Sequence, residues 1–350
     1  MKKSDFKYPH LFAPIQLGNV LFRNRIFASP TGYQNLNGDG YLNDGAAAYY
    51  GRKAMGGAAS VATFEGIVDG ELGRGGATHI ALDTPNIDRG ISRIAYGISQ
   101  YGAVATLELQ HTGMFANRDL SFFGAEAKGI AYGPVECECA GRKIRPMTEE
   151  IIERTIQKYI DAALLAKKCG FGMVLVHAGH GWMLHQFLSP ITNTRTDKWG
   201  GPDIEDRSRL LLSIVDGIHK ACGAGFPVEV RISGSECYDG GYDIENGIAI
   251  ARQLDGHADL IHVSAGNHEV EEVFAVTHPS MFLEDGCNVH LAAEIKKHVN
   301  TPVATIGALS DPELMEDILA SGKADIVELG RELLADPDFP NKIRTGHEDK

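Results

Sequence analysis

Paired cysteines, long apolar runs and an excess of positive charge are all missing from this 350-residue sequence. Its six cysteines form none of the Cys-x-x-Cys pairs that hold zinc or iron–sulfur clusters, and we expect most of them to be small buried residues. The formal net charge is −13, whereas binding to a phosphate backbone needs a basic surface. No apolar run is long enough to span a membrane, and the first residues lack the apolar core of a signal peptide. We therefore expect a cytoplasmic protein that binds neither nucleic acid nor membrane.

What the sequence does contain is a regular alternation of short apolar segments and amphipathic segments. Strands are predicted at residues 25–29, 60–65, 105–110, 173–177, 227–232, 260–264, 302–307 and 325–329. Helices are predicted at residues 44–55, 86–101, 147–169, 206–221, 244–254, 289–299 and 312–320. This alternation predicts an α/β fold in which eight parallel strands close into one (β/α)8 TIM barrel spanning residues 1–350. An open doubly wound sheet is less favoured, because no Gly-x-Gly-x-x-Gly follows the first strand.

Two additions to the barrel are also predicted. The Gly18-Asn19 pair between short apolar runs indicates an N-terminal β-hairpin, which would close the bottom of the barrel. A long insertion, residues 112–147, follows the third strand and carries aromatic residues, such as the two phenylalanines of Ser121-Phe122-Phe123. It would either roof a pocket or support a contact between subunits of a homo-oligomer.

The carboxyl ends of the strands converge on one face of such a barrel, and that face carries the active site. The residues predicted to meet there are Ser29, Pro30, Thr31, Gly32, Glu65, Gly66, Gln110, His111, His177, His180, Arg231, residues 264–268, Gly307, Gly330 and Arg331. Neither a pair of carboxylates nor a Ser-His-Asp set stands out among them. Loops after strands seven and eight hold phosphates in barrels of this type, and Gly307, Gly330 and Arg331 suit that role.

Three histidines, His177, His180 and His185, directly follow the fourth strand. A His-x-x-His pair is one way to begin a zinc site, but no third ligand is evident, so we predict no metal. A histidine packed in the core is the other alternative for either member of the pair. His185 is expected to be structural or to lie on the surface.

Several longer motifs occur in order at these strand ends. They are Leu11-Phe12-Ala13-Pro14 with Asn24-Arg25, Gln110-His111, His177-x-x-His180 with Gln186-Phe187-Leu188-Ser189-Pro190, Asn193-x-Arg195-x-Asp197-x-Trp199-Gly200-Gly201, Val230-Arg231-Ile232-Ser233 and Glu328-Leu329-Gly330-Arg331. On these motifs the chain resembles the Old Yellow Enzyme family of flavin-dependent oxidoreductases over essentially its whole length. The likeness is closest to the barrel domain of 2,4-dienoyl-CoA reductase-like and trimethylamine dehydrogenase-like enzymes.

The resemblance implies a non-covalently bound FMN and NADH or NADPH as the reductant. Ser29, Pro30, Thr31 and Gly32 would lie along the flavin. The Gln110 amide would match its pyrimidine edge, and Arg231 would stabilise the negative charge that reduction places there. The turns at Gly307, Gly330 and Arg331 would hold the phosphate. The alternatives are a core amide at Gln110, a structural salt bridge at Arg231 and ordinary turns at the glycines.

In this family, the residues that correspond to His177 and His180 donate hydrogen bonds to the carbonyl oxygen of the substrate. Enolate charge develops on that oxygen when hydride adds to a conjugated alkene, and the donors stabilise it. Many members place a proton-donating tyrosine two residues after the second histidine, but this chain has Trp182, which cannot act as an acid at ordinary pH. Trp182 would instead narrow the substrate pocket. Another group or solvent must then give the proton, and we expect His268, titrating near neutrality, or else Tyr33 to be that group.

The expected activity is reduction of a carbon–carbon double bond conjugated to a carbonyl, in an enone, an enoate or an enoyl thioester. Oxidative demethylation of an amine or ether is one alternative, and a non-redox, phosphate-binding isomerase is another. Gly32 weighs against the first, because it has no side chain to bond a flavin covalently as amine dehydrogenases do. A [4Fe-4S] cluster and FAD are expected only if the natural protein continues past Lys350.

Overall fold

A computed structural model describes residues 7–33, 35–36, 41–76, 78–116, 130–139, 141–279 and 281–348. Eight parallel strands form a closed barrel, because β3 is hydrogen-bonded to both β14 and β4. The barrel strands are β3 (Ile26–Ala28), β4 (Ser60–Ile67), β6 (Val104–Gln110), β10 (Met173–Ala178), β11 (Val228–Ser233), β12 (Leu260–Ser264), β13 (Val303–Ile306) and β14 (Ile326–Leu329). The predicted TIM barrel and each of its strands are confirmed, with ends that differ by one or two residues.

Helices follow the barrel strands and cover the outside of the barrel. The helices are α1 (Asp44–Met55), α2 (Ile87–Ser99), α3 (Glu149–Lys168), α4 (Met183–Leu188), α5 (Ile204–Cys222), α6 (Ile244–Leu254), α7 (Phe274–Thr277), α8 (Val289–Lys296), α9 (Pro312–Ala320), α10 (Glu332–Ala335) and α11 (Phe339–Thr345). Several begin at capping side chains: Thr148 accepts from the Ile151 N–H, and Asp311 caps α9 directly before Pro312. In the described part of the chain, no helix is long and apolar enough to cross a membrane.

The two predicted additions are present. Strands β1 (Ile15–Leu17) and β2 (Val20–Phe22) form an antiparallel hairpin around Gly18. Leu17 and Phe22 pack with the lower barrel residues Phe27 and Met173, so the hairpin closes the bottom of the barrel as predicted. The insertion after β6 forms a separate three-stranded sheet from β7 (Ala131–Gly133), β8 (Cys137–Cys139) and β9 (Arg142–Pro146). The short strand β5 (Ile80–Ala81) pairs in parallel with the end of β4. Ser121-Phe122-Phe123 lie outside the described residues.

None of the six cysteines is in a disulfide, and the expectation that most of them are buried is wrong. Cys169 and Cys222 are buried, Cys137, Cys139 and Cys287 are half-buried, and Cys237 is exposed. Cys137 and Cys139 lie on the small sheet of the insertion, which covers them less completely than the barrel core would.

Candidate active site

A cavity of about 400 Å³ opens at the carboxyl ends of the barrel strands. Most of the predicted site residues line it: Ser29, Pro30, Thr31, Gly32, His177, His180, Arg231, His268, Gly307, Gly330 and Arg331. The closed barrel brings them together because parallel strands present their carboxyl ends on one face. Glu65 and Ser264, which the sequence also placed at strand ends, line it too. Residues that the sequence prediction did not assign to the site complete the lining, among them Glu108, Thr277, His278, Asn288, Glu328 and Glu332.

One end of the cavity is built to receive an anion. Gly307 has a φ of +126°, and a Cβ there would meet the Asn288 amide nitrogen at 2.8 Å, so the tight turn requires glycine. A Cβ at Gly330 would meet no atom within 4 Å, which leaves open space on the cavity side. The Gly330 N–H donates to a carboxylate oxygen of Glu332 at 3.1 Å, so this amide already faces a negative group. Arg331 beside it is exposed and adds positive charge.

Arg231 lies on β11, level with His177 on β10 and His262 on β12. Burial lowers its pKa, while the carboxylates of Glu108, Glu328, Glu229 and Glu65 favour its charged form. Its Nε has no hydrogen-bond partner among the described residues, and an Nη donates weakly to Ser264 Oγ at 3.5 Å. The guanidinium is therefore a fixed cation with donor capacity to spare.

Glu108 occupies the position that we predicted for Gln110. Both side chains point to the same face of β6 because they are two residues apart, but Glu108 lines the cavity and Gln110 does not. Gln110 Oε1 lies 2.9 Å from His177 Nδ1, and its buried Nε2 has no partner in the described structure. Gln110 therefore contacts His177, and Glu108 is the β6 residue that lines the cavity.

His177 and His180 are buried and in direct contact with each other. His177 Nε2 lies 2.9 Å from His180 Nδ1, and His180 Nε2 lies 2.8 Å from Ser264 Oγ. His177 Nδ1 also lies 2.9 Å from Glu108 Oε1. Burial and the nearby Arg231 hold the pKa of both imidazoles well below the usual range, so both are neutral. All four ring nitrogens are engaged within the protein.

His180 is held by an unusual backbone conformation. Its φ is +60°, which is strained for a residue with a Cβ. Hydrogen bonds to the N–H and to the carbonyl of His180 hold this conformation. Its N–H donates to Ser233 Oγ at 3.0 Å, and its carbonyl accepts from the His268 N–H at 3.1 Å. A Cβ at the following Gly181 would meet the Asn267 side chain at 2.3 Å. The loops after β10 and β12 are thereby joined at His180.

The expectation that His268 titrates near neutrality is wrong. Burial and neighbouring imidazoles, His278 first among them, lower its pKa to about 3. Its ring packs against His180 at 5.0 Å, His278 at 4.6 Å and Trp182 at 5.5 Å between ring centroids. His268 is thus a neutral wall of the cavity at pH 7.

Trp182 and Tyr33 do not line the cavity. Trp182 packs behind His268 and edge-on to Phe115, and its buried indole N–H has no partner within the described ranges. The Tyr33 hydroxyl donates to Asn43 Oδ1 at 2.7 Å, and Asn43 caps helix α1. The prediction that Trp182 narrows the pocket and the prediction that Tyr33 donates a proton are therefore wrong, because packing and capping turn both side chains elsewhere.

Thr31, which does line the cavity, accepts hydrogen bonds from two residues of α1. The Tyr49 hydroxyl donates to Thr31 Oγ1 at 3.1 Å, and the ammonium of the buried Lys53 donates to the same oxygen. Burial lowers the pKa of Lys53 to about 8. The side chain of Thr31 is therefore fixed from behind.

His185 is structural, as one of the two predicted alternatives had it. It is buried, and its Nε2 lies 3.0 Å from Glu236 Oε1. The motif Asn193-x-Arg195 that follows fixes the loop by hydrogen bonds to backbone carbonyls. Asn193 Nδ2 donates to the Phe187 and Trp199 carbonyls, and Arg195 donates to the Pro134 carbonyl of the insertion. These residues position the loop after β10 without entering the cavity.

A second carboxylate–imidazole group lies inside the barrel. His262 Nδ1 lies 2.8 Å from Glu229 Oε1 and 3.1 Å from Glu328 Oε1, and all three residues are buried. The set could hold a metal ion by its spacing, which the sequence prediction of no metal did not foresee. Protons can balance the charge of this set in place of a metal ion. Burial and Glu328 hold the pKa of Glu229 well above its usual range, so Glu229 keeps its proton.

The site residues fit the FMN that the resemblance implies. Buried polar atoms without partners in the described chain, Glu108 Oε2 and Arg231 Nε, face the region where a polar ring edge would bind. The Gly307 and Gly330 turns with Arg331 offer the anion position needed by a phosphate. The cavity volume lies within the range of small-molecule sites.

Comparison with known proteins gives a consistent match. The model of the NADH:flavin oxidoreductase / NADH oxidase family matches residues 10–350. The chain is 36% identical over 344 residues to an NADH oxidase from Thermoanaerobacter brockii, covering 98% of this chain and 52% of that protein. It is 32% identical over 343 residues to an NADPH dehydrogenase from Bacillus subtilis, covering 94% of this chain and 92% of that one.

Among solved structures, a complex of 2-naphthoyl-CoA reductase with 2-naphthoyl-CoA superposes with a TM-score of 0.89 at 29% identity. The superposition covers 98% of this chain and 53% of that one. The chain thus spans about half the length of this reductase and of the Thermoanaerobacter NADH oxidase.

Proposed function

The chain belongs to the NADH:flavin oxidoreductase / NADH oxidase family, and from that premise we propose that it is the FMN-binding barrel of an enzyme that reduces a carbon–carbon double bond conjugated to a carbonyl. NADH or NADPH would supply the electrons. The proposal covers enones, enoates and enoyl thioesters, and it places the enzyme in the cytoplasm. A [4Fe-4S] cluster and FAD belong to it only if further chain follows Lys350.

The observation that carries the proposal is that one cavity contains an anion-binding position, the fixed cation Arg231 and the histidine pair His177 and His180. Gly307, Gly330 and Arg331 would hold the phosphate, and Arg231 would stabilise negative charge on the reduced ring. Bound FMN would supply the hydride. The similarity to a reductase named for an aromatic acyl thioester supports a conjugated carbonyl as substrate.

His177 and His180 would orient the substrate and stabilise the charge that develops on its oxygen. His180 Nε2 shares its hydrogen with Ser264 Oγ, and both residues line the cavity. A carbonyl oxygen that enters there would take the place of Ser264 as acceptor. The strained backbone at His180 keeps this donor fixed as charge develops, which lowers the energy of the transition state.

Absorbance titration with FMN tests the first part of the proposal, and the colour change on reduction tests the second. We expect the purified protein to bind FMN, to bleach with NADH or NADPH, and to recover its colour when an unsaturated ketone, acid or acyl thioester is added under nitrogen. A colourless protein that binds no added FMN would overturn the proposal and leave a non-redox isomerase as the alternative.

Gly330→Val probes the cofactor position directly. The added side chain would extend into open space and meet no protein atom at its Cβ, so stability should stay within about 0.5 kcal/mol. Affinity for FMN should fall at least about tenfold, because the side chain takes the space of the cofactor. Gly76→Val is the matched control, since a Cβ at Gly76 meets only His79 Nε2, at 4.0 Å, and Gly76 does not line the cavity. Equal FMN affinity in both variants would contradict the proposed position.

A further inference from the structure

The structure removes the side chains that the sequence suggested as proton donors. Trp182 has no titratable group, Tyr33 is tied to Asn43, and His268 is neutral. Reduction of a conjugated double bond consumes one hydride and one proton, so a source for the proton is needed. We propose that Glu108, His177 and His180 form a proton relay that carries a proton from the Glu108 carboxyl group to the carbonyl oxygen of the substrate. The proposal rests on the proposed function.

Three short contacts make the relay continuous. Glu108 Oε1 lies 2.9 Å from His177 Nδ1, His177 Nε2 lies 2.9 Å from His180 Nδ1, and His180 Nε2 lies 2.8 Å from Ser264 Oγ at the cavity wall. Each distance lies within hydrogen-bond range, and because the structure has His177 Nδ1 hydrogen-bonded to Gln110 Oε1, Glu108 bonds to this nitrogen when the Gln110 amide turns. Each imidazole is bonded at both nitrogens, so a proton that arrives on one nitrogen releases another from the opposite side of the ring.

Glu108 is able to hold a proton at neutral pH. It is buried, and burial with the negative charge of Glu65 keeps its pKa well above the usual range, although the positive charge of Arg231 opposes this. The charged or titratable groups that face Glu108 from neighbouring elements are Glu65, His79, His177, Arg231 and Glu328. The two histidines of the relay are neutral, so they can pass a proton without accumulating charge.

The proton balance closes on these three residues. Before transfer, the Glu108 hydroxyl donates to His177 Nδ1, His177 Nε2–H donates to His180 Nδ1, and His180 Nε2–H faces the cavity. His180 gives its proton to the carbonyl oxygen of the substrate, which has taken up hydride at the β-carbon, and an enol forms. The enol becomes the saturated carbonyl compound when its α-carbon takes a proton from water and its oxygen returns one to water. His177 and Glu108 then each pass one proton along the relay. Glu108 ends as a carboxylate, and the reverse shift from solvent at the open cavity restores it.

Gln110 adapts to both states of the relay. Its amide lies 2.9 Å from His177 Nδ1, and its second polar atom is free of partners in the described structure. The amide oxygen accepts from Nδ1 when that nitrogen carries hydrogen, and a half-turn presents the NH₂ group when it does not. The two ends of an amide have the same shape, so the exchange needs no repacking.

Glu108→Gln tests the relay, and Glu229→Gln is its matched control. Both carboxyl groups are buried and both pKa values are raised, but Glu229 does not contact His177 or His180. Single-turnover oxidation of the reduced holoenzyme by its substrate should slow roughly 100-fold or more in Glu108→Gln, the usual contribution of a positioned proton donor. It should stay within about threefold in Glu229→Gln. Equal rates in the two variants would overturn the relay.

Two further readouts do not depend on turnover of a variant. The infrared band of a protonated carboxylic acid should lose one component in Glu108→Gln and another in Glu229→Gln, whether or not FMN is bound. A wild-type spectrum with no component assignable to Glu108 would overturn the proton store. This outcome is separate from failure to bind FMN, which overturns the proposed function alone.

The dependence of the wild-type rate on the deuterium content of the solvent counts the protons in motion. A relay moves several protons together, so the rate should fall along a curve as deuterium replaces hydrogen. A straight line, which a single proton in flight would give, would overturn the relay even if Glu108→Gln fails to fold.

Discussion

The barrel contains two buried groups made of carboxylates and imidazoles, and they differ in how their imidazoles are bonded. In the relay group of Glu108, His177 and His180, each ring is bonded at both nitrogens and the last ring reaches the cavity wall. In the interior group of Glu229, His262 and Glu328, one nitrogen of His262 faces both carboxylates. Its Nε2 is buried and has no partner in the described chain.

The difference shows that burial and a raised pKa do not by themselves make a working acid. Glu108 and Glu229 are alike in both respects, yet a proton leaving Glu229 through His262 has nowhere to continue. The interior group is a closed proton pair: Glu229 carries the proton, and Glu328 stays ionised because His262 and Arg231 outweigh the effect of its burial.

Loss of the cation shared by the two groups should have the largest effect. Arg231→Met leaves the ionised carboxylates around it uncompensated, so we expect the free energy of unfolding to fall by about 3 kcal/mol in urea titrations. Arg209→Met removes an exposed cation paired with Asp206 and should cost about 0–1 kcal/mol. Equal losses would show that neither group depends on Arg231.

The pH dependence of stability should not distinguish the two groups. A glutamate with a raised pKa in the folded protein keeps its proton while the unfolded chain loses it above the ordinary pKa of about 4.3. Stability therefore falls as pH rises, by up to about 1.4 kcal/mol per pH unit for each such group.

Urea titrations between pH 5 and 8 should show this slope reduced by a similar amount in Glu108→Gln and in Glu229→Gln. The two variants would then be alike in stability and unlike in turnover. A slope that changes in only one variant would mean that the other carboxyl group is already ionised in the folded protein. Glu108 and Glu229 would then differ in protonation, which would contradict the comparison.

The smallest effect is expected at His268. Because its pKa is about 3, His268→Asn removes no positive charge at neutral pH. Single-turnover oxidation by substrate should change by no more than about threefold, and the pH dependence of that rate between 5 and 8 should keep its shape. A lost inflection in that range would restore His268 as the proton donor and weaken the case for Glu108.

The sequence predicts the barrel well, because alternation of short apolar strands with amphipathic helices is a local pattern that survives folding. It also predicts most of the cavity, since the carboxyl end of a strand can be read as the place where an apolar run stops. The glycine turns at Gly307 and Gly330 were found in this way.

Errors arose where the answer depends on neighbours distant in sequence. Gln110 stands at the very end of β6, but the residue that faces the cavity is Glu108, one strand period earlier. The pKa of His268 is set by rings from other loops, and Tyr33 is turned away by a helix cap. The alternation of strand residues was the signal that could have found Glu108, since it shares a face with Gln110.

Neutron diffraction from deuterium-exchanged crystals at neutral pH tests the central claim most directly, because it locates the exchangeable hydrogens themselves. We predict one deuterium on the Glu108 carboxyl group, one on each of the rings of His177 and His180, and one on Glu229. An ionised Glu108, or a doubly protonated imidazole at His177 or His180, would contradict the relay.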